Sequence, residues 1–263
     1  MSLAYDGLVP GTLLRRYKRF LADVRLDDGQ EVVAHCPNTG SMKAVNVPGC
    51  RVWLSQSDNP KRKLAWTWEW IELPQPDGSQ PLASVHTGRA NRIVEAAINA
   101  GDIAPLAGYQ TLRREVKVAD ARLDFRLDDP DRGAVYIEVK QVTLKETDGH
   151  GYFPDSVSVR GAKHLRSLQA LAEQGERAVL LFCVAHEGIG DVAPAAHIDP
   201  AYAAAMADAA RAGVEVLAYG IDVRWVAGKP AAVRLTRALP IRWPVTSATT
   251  HAENGDFTEQ VGP

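Results

Sequence analysis

The chain has 263 residues, 46% hydrophobic and 24% charged, which supplies enough apolar material for a packed core and excludes overall disorder. Its 30 Lys and Arg against 32 Asp and Glu leave a net charge of −2, so bulk charge does not announce an anionic partner; residues 1–73, with 10 basic against 8 acidic residues, are slightly basic. Cys36, Cys50 and Cys183 show neither metal-ligand spacing nor a disulfide framework, no apolar run approaches the ~20 residues of a membrane span, and the first residues lack a signal-peptide pattern. These features together predict a cytoplasmic protein with no membrane association and no small-molecule cofactor.

Residues 11–73 read as all-β. Gly11 to Leu26 predicts two short strands or one long bent one, and Asp27-Asp28-Gly29-Gln30 has hairpin-turn chemistry. Glu31–His35, Cys50–Ser55 and Leu64–Leu73 predict further strands, separated by the loop Pro37–Met42 and the polar loop Gln56–Lys63. Several short strands in this span predict a small barrel of OB type. Pro74 to Pro81 is rich in Pro, Gly and Ser and marks a linker. The expected domains are residues 1–82, residues 83–240 and a disordered tail at 241–263.

From Val85 the pattern becomes α/β. Arg89–Ala100 predicts a helix ended by Gly101, and Thr111–Val118, Ala121–Leu127 and Ala134–Leu144 predict three strands. Arg160–Gln174 predicts an amphipathic helix ended by Gly175. Ala178–Val184 predicts a buried strand, Ala201–Ala212 an Ala-rich helix and Val214–Tyr219 another buried strand. Two short strands near Val223–Val226 and Ala232–Leu235 complete the domain. The connection Val142 to Asp155, just after the middle strands, is open between a substrate lid and a plain connector.

Chemistry concentrates on the middle strands. Strand side chains alternate with period two, so Glu138 and Lys140 share a face while Val135, Ile137 and Val139 line the other. On the preceding strand Asp124 opposes an expected apolar face of Leu123, Phe125 and Leu127. A hairpin turning at Asp128–Gly133 brings Asp124, Glu138 and Lys140 together. Two carboxylates and an ammonium suit a hard divalent cation and a phosphodiester; a solvated sheet face carries the same residue types. The helix before these strands adds Glu95, one turn after Asn91. Arg160, Lys163 and His164 open the following helix, where amides, helix dipole and basic side chains favour phosphate.

In the first domain Trp66, Trp68 and Trp70 fall on alternate positions of one strand, which fits either a packed core or a base-stacking platform at Trp68. Arg15, Arg16, Lys18 and Arg19, interleaved with Tyr17 and Phe20, supply basic groups, as do Lys61, Arg62 and Lys63; a solvated charged loop explains the latter three equally. Asn38, Thr39 and Ser41 offer donors for phosphate.

The order helix, strand, strand, strand, helix, strand, with Asp124 and Glu138-Val139-Lys140 on the middle strands, resembles the PD-(D/E)xK core of restriction-endonuclease-like enzymes, although Leu123 stands where that label has Pro. The resemblance implies Mg²⁺ or Mn²⁺ held by Glu95, Asp124 and Glu138, with catalysis by Asp124, Glu138 and Lys140. Further strings carry a second likeness: Leu14 to Phe20, Ala34 to Met42, Asp58 to Lys63, Tyr136 to Lys140 and Val157 to Leu165. On these, about 230 residues of the chain resemble the SfsA (sugar fermentation stimulation protein) family. That resemblance implies an α/β (α+β overall) protein with an OB-like barrel followed by a nuclease-like domain. It also implies DNA as partner, with RNA and branched nucleic acid open. Two functions follow as expectations: a metal-dependent nuclease, or a non-cleaving DNA-binding regulator of sugar, especially maltose, use.

Overall fold

The computed structural model describes residues 2–119 and 121–244. Its first part contains β1 (Leu3–Ala4), β2 (Val9–Tyr17), β3 (Leu21–Leu26), β4 (Glu31–His35), β5 (Arg51–Gln56), β6 (Trp66–Glu72) and β7 (Leu82–Ser84). Then come α1 (Gly88–Ala100), β8 (Thr111–Val118), β9 (Ala121–Asp129), β10 (Gly133–Val142), β11 (Leu144–Lys145), β12 (Gly151–Phe153) and α2 (Val159–Glu173). The chain ends with β13 (Arg177–Val184), β14 (Val192–Pro194), α3 (Pro200–Arg211), β15 (Glu215–Val226) and β16 (Lys229–Leu239).

Strands β2 to β6 close a five-stranded barrel: they neighbour one another in the order β4-β3-β2-β5-β6, and β4 returns to pair in parallel with β6. Along β3 and β4 every second residue is buried, as a strand with one face on a core requires. Leu13, Val24, Ala34, Leu54 and Trp68 fill the interior. β7 lies outside the closure, on the free side of β6.

The second body is a seven-stranded mixed sheet in the order β1-β16-β15-β13-β10-β9-β8, with parallel β10, β13 and β15 at its centre. Helix α1 covers one face through Ile93, Val94 and Ala97. Helices α2 and α3 cover the other through Leu165, Leu168, Tyr202 and Met206. Strand β13 is buried from Ala178 to Val184, so its uninterrupted apolar run is what a strand covered on both faces needs. Helix α1 stops at Gly101, whose positive φ of 72° lets its N–H turn back to the Ile98 carbonyl.

Two expectations change. The short strands near Val223 and Ala232 are the far ends of the long hairpin β15–β16. Strand β1 pairs with β16, so the first residues belong to the second sheet and not to a domain spanning 1–82. The expected tail at 241–263 falls outside the described residues from position 245 onward, while Ile241 still bridges to Val192.

The two bodies share a core. Tyr5, Trp53, Trp70 and Leu82 pack with Ile93 and Val94 of α1. A bulge places both Trp68 and Trp70 opposite the consecutive pair Leu54 and Trp53, which makes Glu69 the extra residue. The bulge turns the strand, so Trp68 enters the barrel interior while Trp70 faces the second domain. The three indoles therefore do not share one face.

His186 bridges to Ala83 behind β7 and accepts the Gly188 N–H at 2.9 Å through Nδ1. Burial, aided by the Lys145 charge, pushes it down from 6.5 to about 4. The unfolded chain takes up this proton near pH 6.5 and the folded chain only near pH 4. The neutral ring thus stabilises the fold fully above pH 6.5, and about 3 kcal/mol is lost as pH falls to 4. In His186→Asn, whose Oδ1 replaces the acceptor, Tm is expected to fall less steeply between pH 7 and 4.5. Identical slopes in a thermal-melt series would contradict this assignment.

Candidate active site

Strands β9 and β10 pair from Asp129 and Gly133 to Phe125 and Ile137, and no further. Asp124 fills the gap where they part. Its Oδ2 accepts the Val139 N–H at 2.8 Å, replacing a lost ladder bond, and its Oδ1 accepts from Asn91 Nδ2 at 2.7 Å. The strand changes face here: Leu123 packs in the cluster under α2, whereas Phe125 and Leu127 pack under α1. The three therefore do not form the single apolar face expected from alternation.

Glu138 and Lys140 lie on the α2 side, and Val135, Ile137 and Val139 on the α1 side, as alternation requires. Glu138 is buried; its Oε1 accepts from Lys140 Nζ at 2.5 Å and from His164 Nδ1. Its Oε2 is buried without any partner. Burial alone would raise the Glu138 carboxyl, but the His164 hydrogen bond and the Lys140 charge overcome it and hold the group below its ordinary value. Asp124 goes the other way: burial and the Glu138 charge raise it, against the bonds from Val139 and Asn91. Two neighbouring carboxylates pulled apart in this way make the pair a candidate functional site.

The start of α2 is anchored so that His164 reaches Glu138. The Ser158 hydroxyl caps the helix by accepting the Gly161 N–H at 3.0 Å, and Asp199 Oδ2 accepts the Ser158 N–H at 2.8 Å. A Cβ on Gly161 would lie 2.6 Å from Ser158 Oγ and 3.0 Å from the Tyr202 ring, so only glycine permits this approach.

Several expected site residues take other roles. His164 is buried against Glu138 and does not grip phosphate at the surface; Arg160 and Lys163 remain exposed. Glu95 is not in the carboxylate pair: its Oε2 lies 3.4 Å from Arg114, and the residue of α1 that meets Asp124 is Asn91, one turn earlier. Trp68 is fully buried in the barrel, with Nε1 donating to the Trp70 carbonyl, and offers no stacking face. Arg16 is engaged by the carbonyls of Arg19, Asn38 and Gly40, and Ser41 by Asp155. Arg15 pairs with Asp23, and Arg62 donates to Thr67.

Register brings the remaining basic groups together. The β2–β3 turn carrying Lys18 and Arg19, the end of β4 leading to Asn38 and Thr39, and the β5–β6 loop carrying Lys61 and Lys63 all leave one end of the barrel. From there Asn38, Thr39 and Gly40 form one wall of a cleft of about 340 Å³. Asn91, Lys140 and Gln141, with Tyr152, Phe153 and Asp155, line the rest of it. The connection between Val142 and Asp155 thus contributes a wall, through β12 in a small sheet ordered β11-β12-β14. Gln141 and Asp155 carried no signal in the sequence; Asn91 could have been found as the polar residue one turn before Glu95.

Among the described residues no group of three His, Cys, Asp or Glu is arranged for a metal. The donor chemistry fits an ion nonetheless: Asp124 and Glu138 adjoin, and Glu138 Oε2 is buried and free. Two carboxylates, with water and substrate oxygens completing the shell, suit a hard divalent cation.

Residues 14–78 match the family model described as the SfsA N-terminal OB domain, and residues 88–225 that described as the sugar fermentation stimulation protein RE domain. The chain belongs to the SfsA family. A sugar fermentation stimulation protein homologue of Chromohalobacter salexigens is 65% identical over 240 residues, covering 91% of this chain and 94% of that one. A homologue from Shewanella sp. strain MR-4 is 52% identical, covering 90% and 97%. The structure of Pyrococcus furiosus SfsA in complex with Ca²⁺ matches with a TM-score of 0.80 at 26% identity, over 92% of this chain and 99% of that one. The SfsA RE match begins at the first residue of α1 and contains Asp124, Glu138, Lys140 and His164. The cleft lies between the two SfsA domains. No described helix is long and apolar enough to cross a membrane.

Proposed function

We propose that this chain is a divalent-metal-dependent phosphodiesterase acting on nucleic acid, with DNA as the substrate and Mg²⁺ or Mn²⁺ as the ion. The observation that carries the reading is Glu138 Oε2, a buried carboxylate oxygen without a partner beside Asp124 and Lys140. An unpaired buried acceptor is costly, and a cation relieves both that cost and the repulsion between the two carboxylates. The Pyrococcus furiosus relative, solved with Ca²⁺, supports a divalent cation in a protein of this fold.

Asp124 and Glu138 would hold the ion. When bound, it supplies polarisation of a phosphate oxygen and a more acidic water. The protein's own groups set the geometry. Asn91 and the Val139 N–H fix the plane of Asp124, and His164 fixes Glu138. Lys140, which lines the cleft, offsets negative charge growing on the phosphoryl oxygens. Lys18, Arg19, Lys61 and Lys63 at the barrel end, with Arg160 and Lys163 on α2, hold the phosphate backbone and make binding fall with salt.

Labelled DNA and RNA incubated with the full chain should yield products in Mn²⁺ or Mg²⁺ and none in chelator. Calorimetric Mn²⁺ affinity should fall about tenfold or more in Glu138→Gln. Binding without products under any metal would replace this reading with the non-cleaving DNA-binding regulator.

A further inference from the structure

The two carboxylates of the site are not equally free. Asp124 carries one donor on each oxygen, Asn91 Nδ2 on Oδ1 and the Val139 N–H on Oδ2. Glu138 carries two donors on a single oxygen: Lys140 Nζ and His164 Nδ1 both meet Oε1. An ionised carboxylate only accepts, so His164 Nδ1 bears the hydrogen of its bond. A carboxylate has about four lone-pair sites over its two oxygens. Oε1 is therefore filled, while Oε2 has no partner among the described residues. Glu138 has one oxygen to give a cation, and not two.

The two donors hold Oε1 with different firmness. Lys140 has a flexible four-carbon stem, is 16% exposed and lines the cleft, so it is free to turn toward a phosphate. His164 has no such freedom. It is buried on α2, whose Leu165 and Leu168 pack under the sheet. The start of that helix is pinned by Ser158 Oγ on the Gly161 N–H and by Asp199 Oδ2 on the Ser158 N–H. The imidazole is thus the fixed occupant of Oε1.

Hard divalent cations ask different things of a carboxylate. Ca²⁺ gathers roughly 6–8 oxygens in a flexible shell and often takes both oxygens of one carboxylate. Mg²⁺ demands a near-octahedral shell and keeps several waters, and Mn²⁺ shares the octahedral preference. We infer that His164 sets the cation preference of the site: by filling Glu138 Oε1 it leaves Oε2 alone for coordination, which favours Mg²⁺ and Mn²⁺ over Ca²⁺. The inference rests on the reading of Asp124 and Glu138 as a divalent-cation site and names what selects the ion. His164 acts through Glu138 and is a positioning residue.

Calorimetric titration of the full chain with MnCl₂ and with CaCl₂, without nucleic acid, reads the ratio of the two affinities, and a thermal melt of each variant reports folding. Wild type should bind Mn²⁺ at least about tenfold more tightly than Ca²⁺. In His164→Leu, Mn²⁺ affinity should fall about tenfold, as the loss of an orienting partner does, while Ca²⁺ affinity holds or rises because Oε1 is opened. The ratio then moves toward Ca²⁺ by about tenfold. His164→Asn, whose Nδ2 stands where Nδ1 did, should restore the wild-type ratio. If the melt shows His164→Leu to be unfolded, His164→Gln takes its place, since its amide fills the far side of the ring site and vacates the Oε1 contact. A purely structural role lowers both affinities together; an unchanged ratio in these variants, or a wild type that binds Ca²⁺ as tightly as Mn²⁺, overturns the inference and leaves the cation site standing. If neither cation binds, or if Glu138→Gln leaves Mn²⁺ affinity unchanged, the cation reading itself falls and the inference with it.

Discussion

Lys140→Met is expected to slow phosphodiester cleavage on the order of 10²–10³-fold without weakening Mn²⁺ binding. The two effects separate because Lys140 and an ion compete for the same carboxylate. Lys140 Nζ sits 2.5 Å from Glu138 Oε1, and its side chain is 16% exposed at the cleft wall. Removing the ammonium leaves Glu138 bonded to His164 and still carrying its free Oε2. It also strips away a charge that lowers Asp124, so the two carboxylates repel more strongly in the metal-free chain. Metal affinity is therefore retained or increased, while the charge that offsets the developing phosphoryl negative charge is gone. Single-turnover cleavage rates beside calorimetric Mn²⁺ titrations check both halves. A loss of Mn²⁺ affinity, or a rate within tenfold of wild type, would show that Lys140 organises the carboxylates and takes no part in the chemistry.

The largest stability effect is expected at the joint between the domains. Arg89 at the start of α1 donates to Glu69 of β6 through Nε at 2.9 Å and through its terminal nitrogen at 2.5 Å. The Glu69 side chain is 0% exposed and that of Arg89 19% exposed. Arg89 also stacks over the Tyr5 ring, 5.3 Å from its centroid, and Tyr5 packs edge-on against Trp70. In Arg89→Leu the Glu69 carboxylate keeps only the Ser55 hydroxyl as a side-chain partner. An unpaired buried charge of this kind destabilises by about 3–5 kcal/mol, which lowers Tm on the order of 10 °C in a chain of this size. Replacing both partners, as Glu69→Met with Arg89→Leu, recovers most of the loss because no charge is left buried. A single variant that melts within about 2 °C of wild type would contradict the account.

The pairing of Glu69 with Arg89 was invisible in the sequence, and the reason is instructive. Glu69 reads as a polar residue on a Trp-rich strand, pointing to solvent by alternation. The bulge opposite Trp53 and Leu54 breaks that alternation, buries Glu69 and sends Trp68 and Trp70 to different cores. The same failure of strict period two occurs at Asp124, where β9 leaves β10 and Leu123 changes sides. Periodicity is a property of regular strands, and both the candidate-site residue Asp124 and the interdomain residue Glu69 sit where the strands stop being regular.

Local pattern alone determined much of this protein. The three helices, the glycine that stops α1, the buried run of β13, the small barrel ahead of an α/β domain and the nearness of Asp124 to Glu138 and Lys140 all follow from short-range spacing. Family membership was legible for the same reason, because its strings are contiguous. Only the tertiary structure decided which side chains complete the site. Asn91 rather than Glu95 meets Asp124, because the packing of α1 on the sheet selects one turn of the helix. His164 faces Glu138 rather than solvent, because Ser158, Gly161 and Asp199 set the start of α2. The cleft exists because Ser41 and Asp155, 114 positions apart, hydrogen-bond across two domains. Contacts at that separation depend on how whole elements dock, and no local spacing encodes them.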